Sequence, residues 1–278
     1  MKSLIISLLL FYTSANAYSQ KTDVEDDKLK GKVKSVSFIS YSQDPGEERR
    51  FGIKSFTSYN EKGFMLEHSY FDKENGLKDN IIIPTYDGRG VKILDSSFTT
   101  GRVYDGKSTY TFDKLGNRIE WLEYNSRDSL IMRHSFKYNS KKQLVKHLRY
   151  NPVDLVGSVE YILDAKGRVL SDISSGGDGT FNYQFSYVYD IKGNTISEQC
   201  KHPDKTREYL LKMQYDKFGN VISEEKYNVN GVVEEKRTIS YEYDKYNNWI
   251  FKSAISIHYY DKGSYETYEM EYREIVYY

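Results

Sequence analysis

Tyr187-Val-Tyr-Asp-Ile-Lys-Gly-Asn194 is the stretch that decides the fold, because near copies of it run the length of the chain. Tyr110-Thr-Phe-Asp-Lys-Leu-Gly-Asn117 and Tyr241-Glu-Tyr-Asp-Lys-Tyr-Asn-Asn248 are the clearest of them. The aromatic or apolar residue before the turn recurs at Tyr59, Tyr86, Phe112, Tyr138, Leu163, Tyr189, Tyr215 and Tyr243, at gaps of 25 to 28 residues. A fixed period of this size marks a repeat architecture. In each unit an aromatic-rich strand runs into Asp/Asn-x-x-Gly. The Asp accepts hydrogen bonds from its own turn, and the Gly takes a positive φ at no steric cost. That grammar predicts a hairpin built on a type I turn with a glycine bulge. Lys142 and Asn247 stand at the glycine position in two units. Lysine there costs about 1 kcal/mol, so the fourth turn is expected to be looser.

Three residues past the glycine position the chain is always aliphatic: Leu66, Ile93, Ile119, Val145, Leu170, Ile196, Ile222 and Ile250. Beyond them charged and apolar residues alternate, as in Glu120-Trp-Leu-Glu-Tyr124, which is strand periodicity. The fold class is therefore all-β: a repetitive antiparallel meander of about eight 26-residue double-hairpin repeats. That makes about 16 strands in a single twisted or curled sheet. Residues 31–41 are expected to form the first strand and 265–278 the closing one. A meander of this kind has two edges, which invite strand pairing with a partner. Pro84 suggests an edge or a bulge, and Ser174-Ser-Gly-Gly-Asp-Gly179 reads as an irregular loop.

The Tyr-x-Tyr-Asp-x-x-Gly-Asn pattern at Tyr187–Asn194, and approximately at Tyr110–Asn117 and Gln214–Asn220, resembles the YD repeat of the Rhs family and of small secreted Bacteroidetes-type repeat proteins. The likeness covers residues 31–278. It implies a β-sheet domain of the kind that winds into a hollow shell in large Rhs members. Eight units are far fewer than a shell around a toxin domain needs, so a toxin role is not expected.

The first residues read as a secretory signal. Lys2 supplies positive charge, Leu4–Phe11 an apolar core and Ala15-Asn-Ala17 a cleavage site. The expected organisation is residues 1–17 signal peptide, 18–30 flexible lead-in and 31–278 repeat domain. The mature chain would be exported to the periplasm, the cell surface or the medium, without a lipid-anchor cysteine. Lys+Arg and Asp+Glu both number 40, and no basic patch points to nucleic acid. Cys200 is the only cysteine, which excludes an internal disulfide. No later stretch approaches a transmembrane helix.

No motif for a nucleophile, a phosphate loop, a dinucleotide or a metal site occurs, so no cofactor and no enzymatic activity are expected. His68 and His147 share one repeat position with Asp95, Asp172, Glu198 and Glu224, a column that reads as polar and solvent-facing. The sharper candidate is an aromatic ladder two residues before the pre-turn anchor: Tyr110, Phe136, Tyr161, Tyr187 and Tyr241. Exposed, such a ladder stacks sugar rings or grips peptides; covered, it is core. The leading expectation is a non-enzymatic envelope scaffold that binds a protein or polysaccharide. The alternatives are an outer-membrane β-barrel, a relative of an Rhs shell and a polysaccharide-active enzyme. Against the membrane barrel stands Lys236-Arg-Thr-Ile-Ser-Tyr-Glu242, with charge in both strand phases.

Overall fold

The structure, a computed structural model, describes residues 22–71 and 76–278. The signal-peptide reading and residues 18–21 of the lead-in lie outside them. A short helix α1 (Asp23–Asp26) precedes eighteen strands. These are β1 (Val33–Gln43), β2 (Arg50–Tyr59), β3 (Met65–Phe71), β4 (Lys78–Tyr86), β5 (Lys92–Thr99) and β6 (Val103–Phe112). Next come β7 (Arg118–Asn125), β8 (Leu130–Tyr138), β9 (Leu144–Asn151), β10 (Asp154–Leu163), β11 (Val169–Gly176) and β12 (Phe181–Tyr189). The last six are β13 (Thr195–Lys201), β14 (Tyr209–Tyr215), β15 (Val221–Asn228), β16 (Val233–Tyr243), β17 (Trp249–Tyr260) and β18 (Gly263–Tyr277).

Every strand pairs antiparallel with its chain neighbour, and β1 also pairs antiparallel with β18, for instance Ser37 with Glu274. The sheet is thus a closed barrel of eighteen strands, not the open twisted sheet expected. Closure removes both free edges and with them the basis for edge pairing with a partner.

The turns follow the predicted chemistry. In all eight, the residue at the glycine position donates its N–H to the carbonyl of the first turn residue, as from Gly116 to Asp113 at 3.1 Å. Asp113 Oδ1 accepts from the N–H groups of Leu115 and Asn117 at 2.8 and 2.9 Å. The fourth turn is not looser: Lys142 adopts φ 62° and donates to Asn139 at 2.9 Å. Lys142→Gly should therefore raise stability by about 1 kcal/mol, read from the urea midpoint.

Closure comes from bulges. In each of these eight hairpins the register skips one residue just after the turn; Phe112 faces Arg118, but Thr111 faces Glu120. The unpaired residue is Ile119, and in the other seven hairpins it is Leu66, Ile93, Val145, Leu170, Ile196, Ile222 and Ile250. The aliphatic column is thus the set of bulge residues. A bulge bends its strand and increases twist. Eight at one height around a sheet supply the curvature that a barrel needs.

Pro84 sits inside β4 opposite Asp95. It is not at an edge; the β3–β4 ladder beside it is irregular, passing from His68–Ile82 to Tyr70–Asp79. The segment 174–179 is not an irregular loop, since it ends β11 and closes a turn with Gly176 N–H on Thr180 O at 2.8 Å.

Among the described residues few hydrophobic side chains are buried, and only one cluster forms. It comprises Val24, Leu29, Val33, Val36 and Tyr59, with Met65, Ile275 and Tyr277 packed on it. Among the described residues no apolar core fills the barrel, as is usual for barrels of about 16–18 strands.

The cluster lies where β1 meets β18, the one strand pair with no chain connection. Residues 22–30 supply two of its five buried members, Val24 and Leu29. Thr22 caps α1 in a reciprocal box with Glu25. Asp23 accepts from Met65 N–H at 2.9 Å and Tyr86 hydroxyl at 2.7 Å, and Asp27 accepts from Tyr59 hydroxyl. Asn248 brackets the Lys30 backbone, bonding its N–H and C=O at 2.8 Å each. From Thr22 onward the expected flexible lead-in is instead a docked latch across the seam.

Candidate functional site: the lumen wall

Alternation separates the two faces of the wall. Along β18, Glu271, Arg273, Ile275 and Tyr277 are half-buried, whereas Tyr272, Glu274 and Val276 are exposed. Inside a closed barrel side chains converge, and outside they splay, so the less accessible column faces the lumen. The pre-turn tyrosines share that face, and so do the residues two positions before them.

All five ladder residues therefore line the lumen. Tyr110 donates its hydroxyl to Asp95 at 2.6 Å, and Tyr187 donates to Asp172 at 2.7 Å. Tyr209, outside the predicted set, does the same to Glu198 at 2.7 Å. Tyr161 faces Asp172 across the β10–β11 pair. Tyr241 donates to the Val221 carbonyl at 3.0 Å and lies 6.3 Å from the Trp249 ring. The acidic column predicted to be a solvent-facing stripe thus holds the tyrosine hydroxyls in place.

The ladder is not uniform. Its densest part joins Tyr110 and Phe136 through residues the sequence pattern did not single out together. Trp121 stacks on His134 at 4.2 Å, and Phe136 stacks on His147 at 4.7 Å. Arg118 lies 4.9 Å from the Phe136 ring centre. These ring faces cover one another, so little of them is offered to a ligand. His134 could have been found from sequence: it stands two residues before Phe136, hence on the same face of β8.

Between β15 and β18 the wall is ionic. Lys252 pairs with Glu271 at 2.8 Å, and Arg237 reaches Glu224 at 3.5 Å and also Glu269. A recess of about 300 Å³ opens here between Tyr209, Leu211, Glu224, Lys226, Glu235 and Arg237. Paired charges and aromatic edges make this part of the wall polar.

The turn aspartates ring one mouth. Backbone N–H donation from Val91 holds the Asp87 carboxyl below the usual carboxylate range. The side-chain amide of Asn117 does so for Asp113, and the Arg168 N–H does so for Asp164. A depressed carboxylate pKa adds stability above the unfolded value near 3.9, and that stability is lost as pH falls through the folded value. These carboxylates should therefore make the melting temperature drop as pH falls below about 4. Asp113→Asn should shrink the drop.

Among the described residues no helix is long and apolar enough to cross a membrane, which says nothing about crossing by strands. No family model matches the sequence, and no curated protein matches it. A porin-like protein from Bacteroides uniformis ATCC 8492 is similar in structure, with a TM-score of 0.51 at 8% identity, over 89% of this chain and 98% of that one. A porin-like protein from Bacteroides vulgatus ATCC 8482 aligns over 73% of this chain and 98% of its own at 12% identity, but its TM-score of 0.26 is too low to bear on the fold. At such identities the first likeness speaks to fold alone. The closed eighteen-strand barrel and the fold of this neighbour agree with a β-barrel and not with the open scaffold sheet expected from the sequence.

Proposed function

We propose that the protein is an exported, porin-like barrel of the outer membrane whose hydrated lumen passes or holds small polar solutes. The observation that carries this reading is the β1–β18 closure around a wall whose inward face, among the described residues, is polar and aromatic and forms only one apolar cluster. Closed barrels satisfy every backbone group within the wall, which is what a strand-built membrane protein requires. The N-terminal latch and Tyr278 lie at the mouth formed by the eight aspartate and asparagine turns, where Tyr278 donates its hydroxyl to the Tyr59 carbonyl.

The outer face favours a second reading, a closed envelope barrel standing in water. Lys146 pairs with Glu160 at 2.6 Å and Lys236 with Glu225 at 3.2 Å, both on the outside of the wall. An unpaired lysine or arginine at mid-bilayer costs about 2–4 kcal/mol. Around the seam the outer face is richer in apolar groups. Ile39, Phe251 and Tyr272 line a groove of about 700 Å³ there, together with Lys54, Glu242 and Glu274.

Fractionation of the source cell envelope tests the choice. The membrane barrel should stay with the outer-membrane pellet through alkaline carbonate, need detergent for release and conduct ions in a planar bilayer. Release by salt alone, with no conductance, would overturn the membrane reading and leave the water-facing barrel.

A further inference from the structure

Three neighbouring strands place Glu123 (β7), His134 (β8) and His147 (β9) in one chain of contacts on the lumen wall. His134 Nε2 lies 2.8 Å from Glu123 Oε1, and His134 Nδ1 lies 2.9 Å from His147 Nε2. His134 is only 6% exposed. A carboxylate accepts, so His134 donates from Nε2, and in the neutral ring Nδ1 keeps its lone pair. His147 then donates from Nε2. Trp121 lies parallel to His134 within 13°, and Phe136 lies parallel to His147 within 11°. The two imidazoles are clamped between aromatic faces with their facing nitrogens already close.

We propose that His134 Nδ1 and His147 Nε2 form a two-histidine site for a divalent transition metal ion. Imidazole nitrogen suits Cu²⁺, Zn²⁺ and Ni²⁺. The change at the site is small. The His147 proton moves from Nε2 to Nδ1, both rings stay neutral, and the ion takes the two facing lone pairs. With metal–nitrogen distances of about 2.0–2.1 Å and a tetrahedral angle, the nitrogens separate to about 3.3 Å. That is a few tenths of an ångström more than they have, within reach of a slight ring rotation. Glu123 then occupies the place that carboxylates hold beside metal-bound histidines: it accepts the other N–H and fixes the ring. Among the described residues no three His, Cys, Asp or Glu side chains converge on one point, so water completes the coordination. The site is therefore an exchangeable one, and it does not depend on where the barrel resides.

Trp121, stacked on His134, is the reporter. The chain has two tryptophans, so Trp249→Phe leaves Trp121 alone. Titrating this variant with Cu²⁺ should give saturable quenching that Zn²⁺ competes away. His147→Ala should weaken the binding at least tenfold. Glu123→Gln should weaken it about 10–100-fold through lost orientation of His134. His258→Ala, which alters a distant lumen histidine, should change nothing. Quenching that fails to saturate, or that is unchanged in His147→Ala, would overturn the site. Should His147→Ala fail to fold, diethyl pyrocarbonate labelling of the unmutated chain decides instead. Zn²⁺ should protect His134 and His147 and leave His202 reactive, and equal labelling with and without Zn²⁺ would overturn the site.

Discussion

Replacing Tyr59 by alanine is expected to cost about 3–5 kcal/mol and to loosen the seam of the barrel. Tyr59 is 2% exposed in the one apolar cluster that the described residues form. Its ring packs among Val24, Val33 and Val36, its hydroxyl donates to Asp27, and its carbonyl accepts from the Tyr278 hydroxyl at 2.6 Å. One residue thus holds the latch, β1 and the chain end together. Tyr59→Phe separates the parts: packing is kept, the bond to a carboxylate is lost, and about 1.5–3 kcal/mol should go. Urea unfolding of both variants gives the two numbers. Equal losses would mean that packing at the seam contributes little and that closure rests on the strand ladder alone.

Gly177→Ala should be the most damaging substitution among the turn glycines, at about 1–3 kcal/mol and toward the upper end. A Cβ there would stand 1.8 Å from the Leu155 carbonyl oxygen and 2.7 Å from its carbon. Both are backbone atoms of the paired strand and cannot swing aside. Gly116 makes the contrast. Its φ is +84° and nothing lies within 4 Å of the methyl that alanine would add, so the substitution there meets only the left-handed backbone cost of about 1 kcal/mol. Similar urea midpoints for the two variants would show that the β10–β11 hairpin can spread to make room.

The turns were legible because their chemistry is local. Asp113, Gly116 and Asn117 satisfy one another within five residues, and the same grammar reads at each later turn. Strand count was nearly legible too: two strands per unit make about 16, and the segments around Val33–Tyr41 and Tyr265–Tyr277 supply β1 and β18. Closure was not, because curvature comes from residues that drop out of pairing. Ile119 and its seven counterparts read as one more aliphatic column; nothing in their identity says that they face no partner.

The latch carried a signal that composition obscured. Thr22-Asp-Val-Glu25 is a capping box, yet the acidic run around it reads as a solvated tail. The lumen cluster was hidden for a different reason. His134 and His147 occupy different places in the repeat and meet only diagonally across β8 and β9, where His134 faces Arg149 and His147 faces Phe136. The predicted ladder residues do share a face, but which face is concave depends on how the sheet closes.

The β1–β18 closure is tested most directly by a short thiol cross-linker on Ser37→Cys/Glu274→Cys in a Cys200→Ser background. These two positions are paired across the seam on the outside of the barrel. In an open eighteen-strand sheet they would stand seventeen strand spacings apart, about 80 Å. The closed barrel predicts near-complete cross-linking within the folded monomer, lost in denaturant. A folded monomer whose two thiols stay free of one another would contradict it.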